Sequence, residues 1–417
     1  SVAVFVTLSI SGGLTVFQRL IVERLERRLF IRTVEDLSRR FYYVQISLLD
    51  RKNVSDLANR FFDILTVQKA SSTMLIEGLG ATLQILVATA VLAVYHPYFM
   101  AFDLVLLLGM ALIFRLFAKQ GTRTAIVESK SKYRNASWIE SIAFHTEQFR
   151  LGNHQIAALE SERLVSTWLE NREKHFNVFL FQFGSAQVFY VCMSVILLLL
   201  GGSLVFNGEL SVGQFVAAEF VVTSALIGFM KFMDKMDTIY DLLASIDKIG
   251  AVLDLKVEDV PGIPRPPTRE IQVDLEHTIP CESMSSIDLQ LGAGLLHIVQ
   301  CPMMTSPSRI AEVLCGIRTP KDGFVKHNGM DIRRLALADR YSGVNLIGTN
   351  SSFEGSIRDN ITMGCPDISD EKIWAVLHEI GIENLVQSHP DGLQQTMIED
   401  TPLLTKGILL ARKYHHP

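Results

Sequence analysis

GLLHIVQCPMMTSPSRIAEVLCGIRTPKDG, residues Gly294 to Gly323, reads as a strand, a loop, a helix and a turn. Leu295–Val299 is a short apolar run of the kind that a buried strand supplies. Ser306 stands as an N-cap before Pro307, and proline suits the first helical position because no N–H is needed there. Ile310–Cys315 continues the helix, and Gly316 can end it. A strand and helix joined in this way carry a phosphate-binding loop when the joint reads G-x-x-x-x-G-K-[ST]. Here Cys301 to Ser308 reads C-P-M-M-T-S-P-S. Cys301 and Ser306 take the places of the glycines, Pro307 takes that of the lysine, and only Ser308 is kept. Met303 and Met304 add bulk on the path by which phosphate would approach. The pattern predicts the scaffold of a nucleotide site without its cradle, and Arg309 reads as a surface arginine rather than a substitute for the lost charge.

Upstream, Val260 to Arg269 (VPGIPRPPTR) is a semi-rigid, proline-rich linker. It falls in a boundary region at 251–270, between an apolar portion at 1–250 and a soluble domain at 271–417. Ile271–Leu275 and Ile287–Leu291 alternate like strands at the start of that domain. The 417 residues are 48% hydrophobic with a mean hydropathy of +0.26, and the excess lies before residue 240. A net charge of -5 does not favour nucleic acid as a partner. The five cysteines, Cys192, Cys281, Cys301, Cys315 and Cys365, have no metal-type spacing and read as free thiols. The apolar amino end lacks the charged region and cleavage site of a signal peptide.

Five segments are long and apolar enough to cross a bilayer: 1–17, 78–95, 98–118, 185–206 and 210–230. His96-Pro97 joins the second to the third, and Asn207-Gly208-Glu209 joins the fourth to the fifth. Arg19 to Lys69 holds eleven Lys or Arg, Lys119 to Lys174 holds nine, and the two tight turns hold none. The positive-inside rule therefore places the long basic segments in the cytoplasm and the turns outside. Leu25, Leu29, Val34 and Leu37 recur at near-helical spacing, so helices are expected to run on well past the membrane. Three acids fall in or near the spans. Glu219, nine residues into its span, is expected to face the bundle interior or a wet cavity. Asp103 is expected to reach the outer interface, and Glu77 the inner one. Glu219 and Asp103 are the translocation candidates, since an ionised acid in the bilayer is costly and is usually kept for function.

Phe353-Glu354-Gly355-Ser356-Ile357-Arg358-Asp359-Asn360-Ile361 is similar to F-x-G-[ST]-I-R-[DE]-N-I, a framework motif of the nucleotide-binding domain of type I ABC exporters, the family that the soluble half resembles. Asn328-Gly329-Met330-Asp331-Ile332-Arg333 and Pro390-Asp391-Gly392-Leu393 resemble two further framework segments. Asp50 to Arg60 resembles the first intracellular loop, and Ala136 to Glu140 would precede the second coupling helix. The resemblance implies an α-helical transmembrane domain, with five of six spans present, followed by a partial α/β P-loop NTPase-like domain. It also implies a subunit that works in a dimer with ATP and magnesium. Gly348 stands where the family has its Q-loop glutamine. The signature LSGGQ is reduced to Leu404-Thr405-Lys406-Gly407. The chain ends before a Walker B strand would begin, so no catalytic acid can be named.

These departures imply that ATP is not bound tightly by this chain and that a competent second subunit is its partner. The resemblance, with the positive-inside reading, implies that an unidentified cargo is exported across a plasma membrane, with the soluble domain cytoplasmic. Two other readings stay open: a non-transporting membrane scaffold or sensor with an exporter fold, and a fragmentary gene product.

Overall fold

The computed structural model describes residues 2–415 except 50–56, 58, 96, 153–154, 259–261, 266–269, 283, 301–306, 343, 345, 348–351, 366 and 398–401. Two compact units emerge, Ser1–Tyr42 with Lys52–Leu255, and Tyr43–Arg51 with Lys256–Pro417.

The first unit is helical. It comprises α1 (Val2–Tyr43), α2 (Phe61–Thr73), α3 (Leu79–Tyr95), α4 (Pro97–Phe144), α5 (Gln155–Phe206), α6 (Val212–Asp234) and α7 (Met236–Leu253). A single π-helical turn, Met74–Gly78, joins α2 to α3. Five of these helical stretches are long and apolar enough to cross a membrane. With 48 and 52 residues, α4 and α5 rise about 70–80 Å, more than twice the ~30 Å hydrocarbon core. They therefore project well beyond any bilayer they cross. A tight turn with Gly208 at φ 73° separates α5 from α6, and Ser211 with Gln214 closes a capping box at the start of α6.

The unit is held by pairs of long helices, α4 on α5, α3 on α6, and α7 on both α2 and α4. On α4 the buried stripe runs Phe99, Phe102, Leu106, Met110 and Ile113, at spacings of three and four. On α7 it runs Met236, Tyr240, Ala244, Lys248 and Val252. Buried polar ties supplement the apolar packing. Gln84 Nε2 donates to the Ser224 carbonyl at 2.8 Å, and Tyr240 Oη donates to Gln182 Oε1 at 2.7 Å.

The second unit opens with a four-stranded antiparallel sheet in the order β2-β1-β3-β4, formed by β1 (Val273–Ile279), β2 (Ile287–Leu291), β3 (Asp322–His327) and β4 (Met330–Asp331). Leu275 pairs with Val325 and Leu289, setting one buried face. Asn328 (φ 51°) and Gly329 (φ 77°) form the two-residue turn from β3 to β4, the conformation for which Asn-Gly is preferred. Helix α8 (Pro307–Leu314) lays Val313 on the sheet core.

Leu295–Val299 is not a strand. It is irregular, with Leu296 91% and Ile298 84% exposed. An apolar run becomes a buried strand only where neighbours pair with both of its edges. Among the described residues the four strands pair only with one another.

The rest of the unit is a small helical cluster: α9 (Ile357–Thr362), α10 (Asp370–Ile380), α11 (Glu383–Gln387) and α12 (Pro402–His415). The segment Phe353–Ile361 organises it. Ser356 and Asp359 form a capping box, and Ile357 and Ile361 are fully buried. The buried Asn360 amide accepts from Phe353 N–H at 2.9 Å and donates to the Phe353 and Ser356 carbonyls at 2.9 and 3.1 Å. Arg412 Nε of α12 donates to the Asn360 carbonyl at 2.8 Å.

Candidate functional site

Pro307 is the first residue of α8, and both it and Ser308 are exposed. The pyrrolidine ring has no N–H and no charge, so this position keeps the helix start and offers nothing to a phosphate. Gly316 follows the helix at φ 71°, as expected of a terminating glycine. Arg309 pairs with Glu312 at 3.3 Å on its own helix. Cys301, Ser306 and Gly348 lie outside the described residues, as do Met303 and Met304.

Leu404, Thr405, Lys406 and Gly407 lie near the start of α12 as regular helix. Three of the four are buried, and only Lys406 is exposed. A Cβ on Gly407 would stand 2.4 Å from Ile382 Cδ1, so a larger residue here would have to displace the Ile382 side chain where α12 approaches the residue before α11. These residues pack in the helical cluster, whereas α8 packs on the sheet.

In the membrane unit, Asp103 departs from expectation. It is 5% exposed rather than solvated, and neither carboxylate oxygen has a hydrogen-bond partner among the described residues. The cause is its register. Asp103 adjoins Phe102 on the α4 stripe that packs inward, so helical phase rather than distance from the chain turn sets its burial. Glu219 is half-buried on α6 between the fully buried Ala218 and the exposed Phe220. Beside it, α3 and α6 enclose an apolar groove of about 520 Å³, where Gln84 and Ser224 are the polar residues. Among the described residues no hydrogen bond or ion pair joins Asp103 to Glu219. Glu77 is partly exposed and pairs with Lys235 at 3.0 Å.

Two polar clusters escaped the sequence reading. Lys248 Nζ donates to Asp63 Oδ1 at 2.8 Å, with both side chains almost fully buried, and stands 4.1 Å from the Tyr133 ring centroid. Burial pushes the Lys248 ammonium below its ordinary range, against the pull of Asp63. The pair ties α7 to α2, and Tyr133 brings in α4. In the second cluster the fully buried His175 of α5 contacts Thr124 of α4 at 2.8 Å through Nδ1 and Asp237 of α7 at 3.2 Å through Nε2. That hydrogen bond holds the Asp237 carboxyl below the usual carboxylate range. A signal existed for Lys248, a charge placed on the apolar stripe of α7, but its partner lies 185 residues away.

No protein-family model matches the chain. It is 24% identical over 237 residues to the uncharacterized ABC transporter ATP-binding protein YwjA of Bacillus subtilis, a match that covers 52% of this chain and 38% of that protein. It is 25% identical over 218 residues to the mycobactin import ATP-binding/permease protein IrtB of Mycolicibacterium smegmatis, covering 49% and 37%. It is 26% identical over 227 residues to the probable microcin-H47 secretion/processing ATP-binding protein MchF of Escherichia coli, covering 51% and 32%. The chain thus matches less than half the length of these curated relatives. A solved bacterial Atm1-family ABC exporter with ATP bound superposes with a TM-score of 0.82 at 13% identity, covering 95% of this chain and 73% of that one. The fold is that of an ABC exporter half-transporter. Among the described residues, five helical stretches long and apolar enough to cross a membrane are followed by a small sheet-containing domain.

Proposed function

We propose that this chain is a membrane-embedded subunit of an ABC transporter that moves an unidentified cargo outward, does not hydrolyse ATP through its own phosphate loop, and relies on a competent second subunit. The observation that carries the reading is Pro307 as the first residue of α8. A P-loop acts by aiming backbone N–H groups and a lysine charge at phosphate, and electrostatic stabilisation is the main catalytic contribution in such sites. Proline removes one donor and the charge together. The retained framework of Asn360, Ser356 and Asp359 is what a subunit needs in order to keep its shape while a partner supplies the motor. On this reading the membrane is a plasma membrane, the second unit is cytoplasmic, and Glu219 and Asp103 lie along the helices that cargo would pass.

The test is co-expression with a competent exporter subunit in nanodiscs. Magnesium-dependent ATP hydrolysis by the pair, unchanged by Ser308→Ala in this chain and abolished by the equivalent change in the partner, is the expected result. No association with any exporter subunit would favour a scaffold or sensor instead.

A further inference from the structure

His175 of α5 is fully buried between α4 and α7, outside the apolar spans at 98–118, 185–206 and 210–230. Its Nε2 stands 3.2 Å from Asp237 Oδ1 on α7, and its Nδ1 stands 2.8 Å from Thr124 Oγ1 on α4. An ionised carboxylate only accepts, so Nε2 carries a hydrogen. The other nitrogen has two options. Thr124 Oγ1 also lies 3.0 Å from the Gln120 and Gly121 carbonyls of its own helix. A hydroxyl has one hydrogen and two lone pairs. Turned toward the ring, that hydrogen serves a bare Nδ1. Turned toward either carbonyl, it leaves a lone pair for an Nδ1–H. Thr124 therefore satisfies the neutral ring and the imidazolium alike, and the ring gains or loses a proton without orphaning a buried polar atom.

The surroundings are short of one positive charge. Among the described residues, the charged groups acting on the cluster are Asp237 and Asp241 of α7, Glu128 and Lys132 of α4, and Arg172 of α5. Three acids thus face two cations, and Arg172 is engaged with Glu128 at 3.2 Å. Helix α6 adds no charge there and presents Met233 to Gln182. Tyr240 of α7, its ring centroid 5.9 Å from that of His175, stays neutral and donates to Gln182 at 2.7 Å. A second proton on His175 brings the formal sum of the cluster to zero. Burial of the ring opposes that charge, while the facing Asp237 carboxylate and the excess of acids favour it.

We propose that His175 is a proton-binding switch in the helical unit. With hydrogen on both nitrogens it ties α5 to Thr124 of α4 and, as an ion pair, to Asp237 of α7. With Nδ1 bare the ring is neutral, Asp237 keeps a hydrogen bond without the opposite charge, and α7 is held less tightly. Histidine is the side chain whose ordinary titration falls between about pH 5 and 8, so the switch samples the solution bathing these helices. The tie is strongest at low pH and weakens as pH rises through that range. Because α7 packs on both α2 and α4, a change in its hold reaches both helices.

The test is hydrogen exchange of the full chain in nanodiscs at about pH 5.5 and about pH 8.5, corrected for the intrinsic rate, with α3 as internal reference. Protection of α7 should be about two- to fivefold greater at the lower pH. The gain is modest because Asp237 is 38% exposed and water screens the added charge. Thr124→Ser keeps the hydroxyl and should keep that ratio. Thr124→Val leaves an Nδ1–H without an acceptor and should bring the ratio to about one. His175→Gln cannot take up the proton and should do the same. Lys248 and Asp241 also lie on α7, so a ratio that survives His175→Gln would assign the effect to them and overturn the proposal. A wild-type chain whose α7 protection does not depend on pH would overturn it as well, as would a ratio that Thr124→Val leaves unchanged. Both Thr124 variants retain His175, so they decide the matter even where His175→Gln does not fold.

Discussion

Replacing Lys248 by Met isolates the buried pair that joins α7 to α2. The substitution keeps the unbranched apolar stem and removes the ammonium, so Asp63, 3% exposed, loses its 2.8 Å partner. Breaking a buried pair from one side costs about 3–5 kcal/mol, because the remaining charge stays desolvated with only the more distant Arg60 guanidinium, at 3.9 Å, beside it. Loss of the contact with the Tyr133 ring, at 4.1 Å, adds on the order of 1–2 kcal/mol. At 1.36 kcal/mol per decade the pair alone corresponds to roughly two to four orders of magnitude in the local opening equilibrium. Hydrogen exchange of α7 amides in nanodiscs reads that equilibrium directly. Protection in α7 should fall by about that much, and protection in α6 should change little. The double variant Asp63→Leu with Lys248→Met should recover most of it, since an apolar replacement of a buried pair is neutral or better. If the double variant loses as much protection as the single one, the pair is not the source of the effect and the reasoning fails.

Other outcomes follow from single groups. Asn360→Ala removes three hydrogen bonds around Phe353 and should destabilise the second unit by about 2–4 kcal/mol, seen as early proteolysis near Ser356. His327 is buried and neutral, with Nε2–H donating to the Leu314 carbonyl at 2.9 Å and Nδ1 accepting from Arg265 at 3.0 Å. Burial holds its pKa below the ordinary value, so its contribution is present above about pH 6.5 and is lost as pH falls through the folded value. Exchange protection of β3 should decline over that window in the wild type and decline less in His327→Gln. Burial pushes the Cys315 thiol to about 11, so a maleimide at neutral pH should label Cys281 in the folded chain and Cys315 only after denaturation, as mass spectrometry of the peptides will show.

The helical unit was legible because apolar runs of some twenty residues have few alternatives, and because Arg- and Lys-rich amphipathic segments extend them. Capping rules also worked at α8, where Pro307 opens and Gly316 follows the end. Two readings failed for one reason: both depend on what lies across from a residue. Leu295–Val299 has the composition of a buried strand, but pairing decides strandhood, and no described strand pairs with it. Asp103 sits near a chain turn, yet its phase on α4 points it inward. Lys248 with Asp63, and His175 with Asp237, lie beyond single-sequence reasoning, since each pair is assembled by packing between distant helices. For the nucleotide side, helix location was readable from local chemistry, whereas Gly407 took its meaning only from Ile382 opposite.

The most direct test of the central claim is the rate of ATP hydrolysis by the purified chain alone, in nanodiscs with magnesium, against a mock preparation and a Ser308→Ala variant. The account predicts no turnover above the mock preparation and no difference between wild type and variant. Magnesium-dependent hydrolysis that Ser308→Ala removes would show a working phosphate site on this chain and contradict the account.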